Sequence, residues 1–144
     1  MEIFVFGREE IETGIVVKSS YVVISIHDPN KRRPKVKKQS GLRDVLYLAF
    51  SGIEPPADPR LSAENDFFTP AQAEEICAFV HRHKADVGAI VVHCEKGQSR
   101  SPAIAAAISE ALGLDAQRFW ELYTPKKYLY ETVSKAFKRR AAAR

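Results

Sequence analysis

Cysteine is scarce in this sequence, with two residues, Cys77 and Cys94, in a chain of 144. Two are too few for a disulfide framework, and they lack the paired spacing of a zinc site. Long apolar runs are missing as well. None approaches the roughly 20 residues that a membrane helix needs. The first apolar run, Ile3 to Phe6, is short and is followed by Arg8, Glu9 and Glu10, so this segment is not expected to be a secretory signal. There is no Gly-x4-Gly-Lys-Ser/Thr segment, so nucleoside triphosphate binding has no support. Repeats, linkers and low-complexity tracts are also lacking. These absences leave a cytoplasmic chain with free thiols, read as a single domain over residues 1–144.

An excess of one charge is lacking over most of the chain. The formal net charge is +4, but Lys31, Arg32, Arg33, Lys35, Lys37 and Lys38 lie within eight residues. Removing these six from the chain's 22 leaves 16 basic residues against 18 acidic. The basic character is therefore local. The segment 31–38 reads either as a solvated loop or as a patch for anionic partners such as acidic peptides, phospholipid headgroups or RNA.

What is present reads as α/β. Ile3–Phe6, Tyr21–Ile26, Val45–Phe50 and Val87–Val92 are strand candidates, the last a near-continuous apolar run of the kind found inside a parallel sheet. Arg8–Glu12 reads as a loop or one helical turn. Residues 27–30 read as a turn, and Ser51–Glu64, with Gly52, Pro55, Pro56 and Pro59, as a long irregular loop. Thr69, Pro70 and Gln72 form a helix start with a capping box. Ala73, Ile76, Phe79, Val80 and His83 then share one helical face, with Cys77 beside it as a core or boundary residue. Further helices are predicted over Pro102–Leu112, Asp115–Leu122 and Lys126–Arg140, with fraying from Ala141 to Arg144. The sequence predicts a mostly parallel sheet flanked by helices.

One segment carries chemistry, His93-Cys94-Glu95-Lys96-Gly97-Gln98-Ser99-Arg100-Ser101. The strand is predicted to end at His93, a loop to run from Cys94 to Arg100, and a helix to start at Ser101 and Pro102. A loop between a strand and a helix N-terminus turns backbone N–H groups toward a common centre, and the helix dipole adds positive charge there. Gly97 permits the curl. The N–H groups and the Arg100 charge would favour a thiolate at Cys94, which is both nucleophile and leaving group. The planar fork of Arg100 can hold two phosphoryl oxygens at once. An incidental buried thiol would not explain the glycine, arginine and serine at these positions. A rhodanese-like loop would not require the arginine.

This segment resembles the His-Cys-x5-Arg-Ser/Thr signature of the protein tyrosine phosphatase superfamily. The short chain looks like the dual-specificity branch, in particular its compact bacterial and phage-like members. The signature covers nine residues. A weaker likeness extends from Thr69 to Leu112, and the N-terminal half matches only in its order of elements. The resemblance implies a phosphocysteine intermediate, with no cofactor and no metal. Carried over, Cys94 is the nucleophile and Arg100 binds the phosphoryl oxygens. The N–H groups of Glu95, Lys96, Gly97, Gln98, Ser99 and Arg100 line the cradle. Ser101 hydrogen-bonds the sulfur, and His93 orients the loop from behind. The chain departs from the family at the general acid. After the third strand, where an aspartate belongs, it reads Ser51-Gly52-Ile53-Glu54. Asp66, Asp58 and Glu54 all stay open for that role, and Asp66 reads equally as a polar residue at the helix start.

The expected substrate is a phosphorylated protein or peptide, on tyrosine alone or with dual specificity. The alternatives are another anionic phosphoester, a phosphoinositide or an RNA 5′ end, and a phosphate-binding module without turnover. No membrane span and no general nucleic-acid partner are expected. His27, His81 and His83 read as structural. Phe119, Trp120, Tyr123, Tyr128 and Tyr130 read as packing between the last helices.

Overall fold

The structure, a computed structural model, describes residues 1–57 and 66–143. Asp58 and Glu64 therefore lie outside the described residues, as does Arg144. In chain order the elements are β1 (Glu2–Gly7), α1 (Arg8–Thr13), β2 (Tyr21–His27), β3 (Leu42–Ala49), α2 (Pro70–His83), β4 (Ala89–Cys94), α3 (Arg100–Ala111), α4 (Gln117–Leu122) and α5 (Lys127–Ala142). The four strands form one sheet in the order β1-β4-β2-β3, and every pairing is parallel. The expected α/β architecture, a parallel sheet flanked by helices, is the one observed.

The sheet is covered on both faces, which is why β2 and β4 are buried along their whole length. Val22, Ile24, Ile26, Ile90 and Val92 join the larger core with α2, α3 and α5. Their alternates, Tyr21, Val23, Ala89 and Val91, face Ile11 of α1 and Ile15, with Val36 packed against them. Val36 belongs to the basic segment, so that segment is partly a cover for the second face. Alanine at 103, 105, 106 and 107 is buried and lets α3 lie close to the sheet.

Several boundaries differ from those predicted. β4 starts two residues later than the apolar run and ends at Cys94 rather than before it. Phe6 and Gly7 of β1 pair with His93 and Cys94 and carry the ladder onward. α3 starts at Arg100, because the Ser99 carbonyl already accepts from Ala103 N at 3.3 Å. β3 reaches back to Leu42, where it pairs with Tyr21. α5 continues through Ala142 instead of fraying from Ala141.

The start of α2 is built as its sequence predicts. Thr69 Oγ1 accepts from Gln72 N at 3.1 Å, and Gln72 Oε1 accepts from Thr69 N at 3.0 Å. Such a cap is worth about 1 kcal/mol. Gln72 Nε2 also donates to the Ala49 carbonyl at 3.0 Å, which ties α2 to the end of β3. Cys77 is a fully buried core residue, and burial pushes its thiol up to about 11. Among the described residues no helix is long and apolar enough to cross a membrane.

Candidate active site

Parallel strands bring their C-terminal ends to one edge, the usual place for a site in an open α/β sheet. Here His27, Ala49 and Cys94 end β2, β3 and β4 along that edge. The connection from Cys94 to α3 curls tightly. Gly97 sits at φ +72°, and its N–H donates back to Cys94 Sγ at 3.3 Å. A Cβ at Gly97 would also meet Phe6 C at 2.8 Å and Phe6 O at 2.9 Å. Glycine is thus required twice, for its backbone angle and for the closeness of β1.

Ser101 Oγ lies 3.2 Å from Cys94 Sγ, and both are buried. Ser99 gives α3 no side-chain cap, so the first N–H groups of the helix stay turned to the loop centre. Glu95 does not enter that centre. Arg8 Nη1 donates to Glu95 Oε1 at 3.0 Å, and Arg8 N donates to the Glu95 carbonyl at 3.0 Å. Lys96 and Gln98 are exposed. From the other side, Thr124 N donates to the Gln98 carbonyl at 3.0 Å and Lys126 N to the Ser99 carbonyl at 3.1 Å. The loop is therefore held by two segments that its own sequence does not announce.

His93 lies behind the loop, on the face covered by α1. Its Nδ1 is 3.3 Å from the Cys94 carbonyl, and its Nε2 is 2.6 Å from Ser25 Oγ. Burial holds the imidazole down at about 4, so it is neutral at pH 7. The carbonyl can only accept, so Nδ1 carries the proton and Nε2 accepts from the Ser25 hydroxyl. Ser25→Ala leaves a fully buried acceptor unpaired. We expect it to cost about 1–3 kcal/mol in a urea unfolding titration at pH 7. A change below a few tenths of a kcal/mol would show that Ser25 does not hold the ring.

Arg100 is 8% exposed. Its Nη1 donates to Asp28 Oδ1 at 2.9 Å and to the Phe50 carbonyl at 2.8 Å. Beside it lies a cleft of about 380 Å³ lined by Asp28, Pro29, Asn30, Lys31, Ser51, Ile53 and Asp66. Asp66 is exposed, and its main-chain carbonyl accepts from Ser51 N at 2.7 Å. The cap of α2 is Thr69. Glu54 is exposed on the segment after Phe50. Asp58 lies outside the described residues. Tyr128, at the start of α5, donates its hydroxyl to the Ile53 carbonyl at 3.0 Å. It thus ties α5 to Ile53 while its ring packs against the larger core. Phe119 stacks on Tyr123, and Trp120 meets Tyr130 edge-on.

The basic segment divides. Arg32 pairs with Glu12 at 3.2 Å, and Arg33 lies 4.1 Å over the Tyr47 ring. Lys31 lines the cleft, 3.6 Å from Asp28 Oδ2. His83 Nε2 lies 2.8 Å from Asp44 Oδ2, and His81 lies edge-on to Phe137.

Sequence reasoning placed Asp28 in a turn and Ser25 in a strand and gave neither a role. One signal was available for Asp28, a carboxylate at the C-terminal end of a parallel strand. For Ser25 the only signal was a polar residue inside an apolar run.

No family model matches the sequence, and no curated protein matches it. Solved structures do match its fold. Human DUSP28 aligns at 16% identity and a TM-score of 0.57, covering 99% of this chain and 95% of that one. A mouse putative dual specificity phosphatase complexed with zinc tungstate aligns at 18% identity and a TM-score of 0.51, covering 86% and 72%. PTPMT1 in complex with PI(5)P aligns at 16% identity and a TM-score of 0.50, covering 86% and 80%. The chain has the fold of the dual-specificity phosphatases.

Proposed function

We propose that the chain is a cysteine-dependent phosphomonoesterase that acts through a phosphocysteine at Cys94. One observation carries this reading. Cys94 Sγ, Gly97 N–H and Ser101 Oγ converge within 3.3 Å at the start of α3, in the same loop whose last residue is Arg100. A phosphoryl group held by the loop N–H groups and Arg100 would present its phosphorus to the sulfur. The S–P bond forms as the P–O ester bond breaks, and the leaving oxygen takes a proton from a general acid. Water then attacks phosphorus and gives its proton to the carboxylate left by the general acid, and the S–P bond breaks as the thiolate leaves with Ser101 Oγ–H directed at it. Hydrolysis of an aryl phosphate by the purified chain, suppressed by tungstate, tests the reading. Absence of turnover would reduce the protein to a phosphate-binding module.

Asp66 is our assignment for the general acid, because it lines the cleft beside Asp28 and Ser51. An acid matters in proportion to how badly the leaving group needs a proton, and typically contributes about 10²- to 10⁴-fold. Asp66→Asn should slow a phosphotyrosine peptide strongly and an ester with an acidic phenol far less. It should also remove the basic limb of the pH–rate profile. Asp58→Asn and Glu54→Gln are the parallel controls. If either shows this pattern while Asp66→Asn stays near wild type, the role moves.

Phosphotyrosine on protein is the substrate we assign first. Lys31 in the cleft and exposed Lys96 favour, as the second reading, a non-protein substrate with further anionic groups. PTPMT1, a neighbour in fold, binds PI(5)P. A panel of phosphopeptides, phosphoinositides and a 5′-phosphorylated RNA separates the two by kcat/KM.

A further inference from the structure

We propose that Asp28 is the positioning residue of Arg100. In this role it fixes one nitrogen of the guanidinium so that the opposite edge faces the phosphoryl group. This rests on the clamp role proposed above for Arg100. The fork has three nitrogens. Nη1 donates at once to Asp28 Oδ1 at 2.9 Å and to the Phe50 carbonyl at 2.8 Å. Asp28 follows the last residue of β2, and Phe50 the last residue of β3. Two adjacent strands therefore hold one nitrogen from the rigid edge of the sheet. The stem of Arg100 runs beside Gly52, where an added Cβ would sit 3.6 Å from Cδ and 3.7 Å from Nε.

Among the described residues Nε and Nη2 have no hydrogen-bond partner. These two form the edge that binds an oxyanion with parallel hydrogen bonds. Lys31 Nζ, 3.6 Å from Asp28 Oδ2, faces the other oxygen of the same carboxylate. An arginine without such an anchor must be ordered by each substrate that arrives, which weakens binding.

Two rival roles for Asp28 predict different signs. A carboxylate that merely competes with phosphate for Arg100 would weaken binding, so its removal would tighten it. A proton donor would fail as asparagine. A positioning residue fails as alanine or serine but survives as asparagine, whose amide oxygen can accept the same hydrogen bond.

The test is calorimetric titration of the full chain with sodium tungstate at pH 7, beside aryl phosphate turnover. A hydrogen bond to a charged group is worth enough that Asp28→Ala and Asp28→Ser should each weaken tungstate binding about 10-fold or more. Asp28→Asn should stay within about threefold and keep the basic limb of the pH–rate profile. Tungstate binding to the alanine variant as tight as to wild type, or tighter, overturns the proposal. So does an asparagine variant as weak as alanine. A wild-type chain that binds tungstate without hydrolysing aryl phosphate defeats the phosphatase reading and leaves the role of Asp28 measurable. A wild-type chain that binds no oxyanion defeats both.

Discussion

Cys94→Ser should lower turnover on the order of 10³-fold or more while leaving tungstate binding close to wild type. The substitution replaces one atom. Cys94 is 2% exposed, and the smaller oxygen fits without displacing the loop. Gly97 N–H can still donate to it across the 3.3 Å now spanned to sulfur. The N–H groups of the loop and the Arg100 fork are unchanged, so the anion should still bind. What is lost is the reaction of the proposed nucleophile. A serine hydroxyl holds its proton far more tightly than a thiol, and the resulting phosphoserine would expel a much poorer leaving group in the second step. Binding and turnover should therefore separate in this variant. Rapid-quench and steady-state kinetics on one aryl ester, with calorimetry on tungstate, measure both. Retention of more than a few per cent of wild-type turnover would exclude the covalent route.

That separation depends on a loop whose environment is only partly written in its own nine residues. The strand, the glycine and the helix were legible because they are local. An apolar run, a residue permitting positive φ and an alanine-rich segment each carry their signal within a few positions. The supports were not legible, because each pairs residues far apart in sequence. Ser25 and His93 are 68 residues apart, and Asp28 and Arg100 are 72 apart. Arg8 reaches Glu95 across 87 positions. Nothing in the composition of β2 says which residue of β4 its serine will face. That follows from the parallel register, in which Ser25 lies opposite His93.

The boundaries shifted for the same reason. β4 runs on to Cys94 because β1 pairs with it there, although its apolar run stops at Val92. Arg43 and Asp44 hid the start of β3, an edge strand whose N-terminal residues are partly exposed. The basic segment was open between a solvated loop and an anion patch. It turns out to divide by residue, since Arg32 and Arg33 are engaged by Glu12 and Tyr47 while Lys31 lines the cleft.

Arg100→Lys should lower kcat/KM on the order of 10²-fold or more, the scale of losing a major transition-state donor. Charge alone is kept by this change, so the size of the loss reports geometry. Arginine occupies the site with one nitrogen against the wall, at 2.9 Å from Asp28 Oδ1 and 2.8 Å from the Phe50 carbonyl. Its other two nitrogens have no hydrogen-bond partner among the described residues, and these are the ones proposed to hold the anion. A lysine has one nitrogen for both tasks. Pointed at Asp28 and Phe50, it would satisfy the wall and leave the phosphoryl oxygens without a partner. Turned to the anion, it would leave Asp28 and the Phe50 carbonyl without their donor. Either choice costs, and a point charge cannot supply two parallel hydrogen bonds in any orientation. The loss should appear in tungstate affinity as well as in turnover, which separates it from the Cys94→Ser variant. A thermal melt near that of wild type would show that the fold survives. A drop of only two- or threefold in kcat/KM, with unchanged tungstate affinity, would mean that Arg100 does not touch the phosphoryl group. Its bonds to β2 and β3 would then be purely structural.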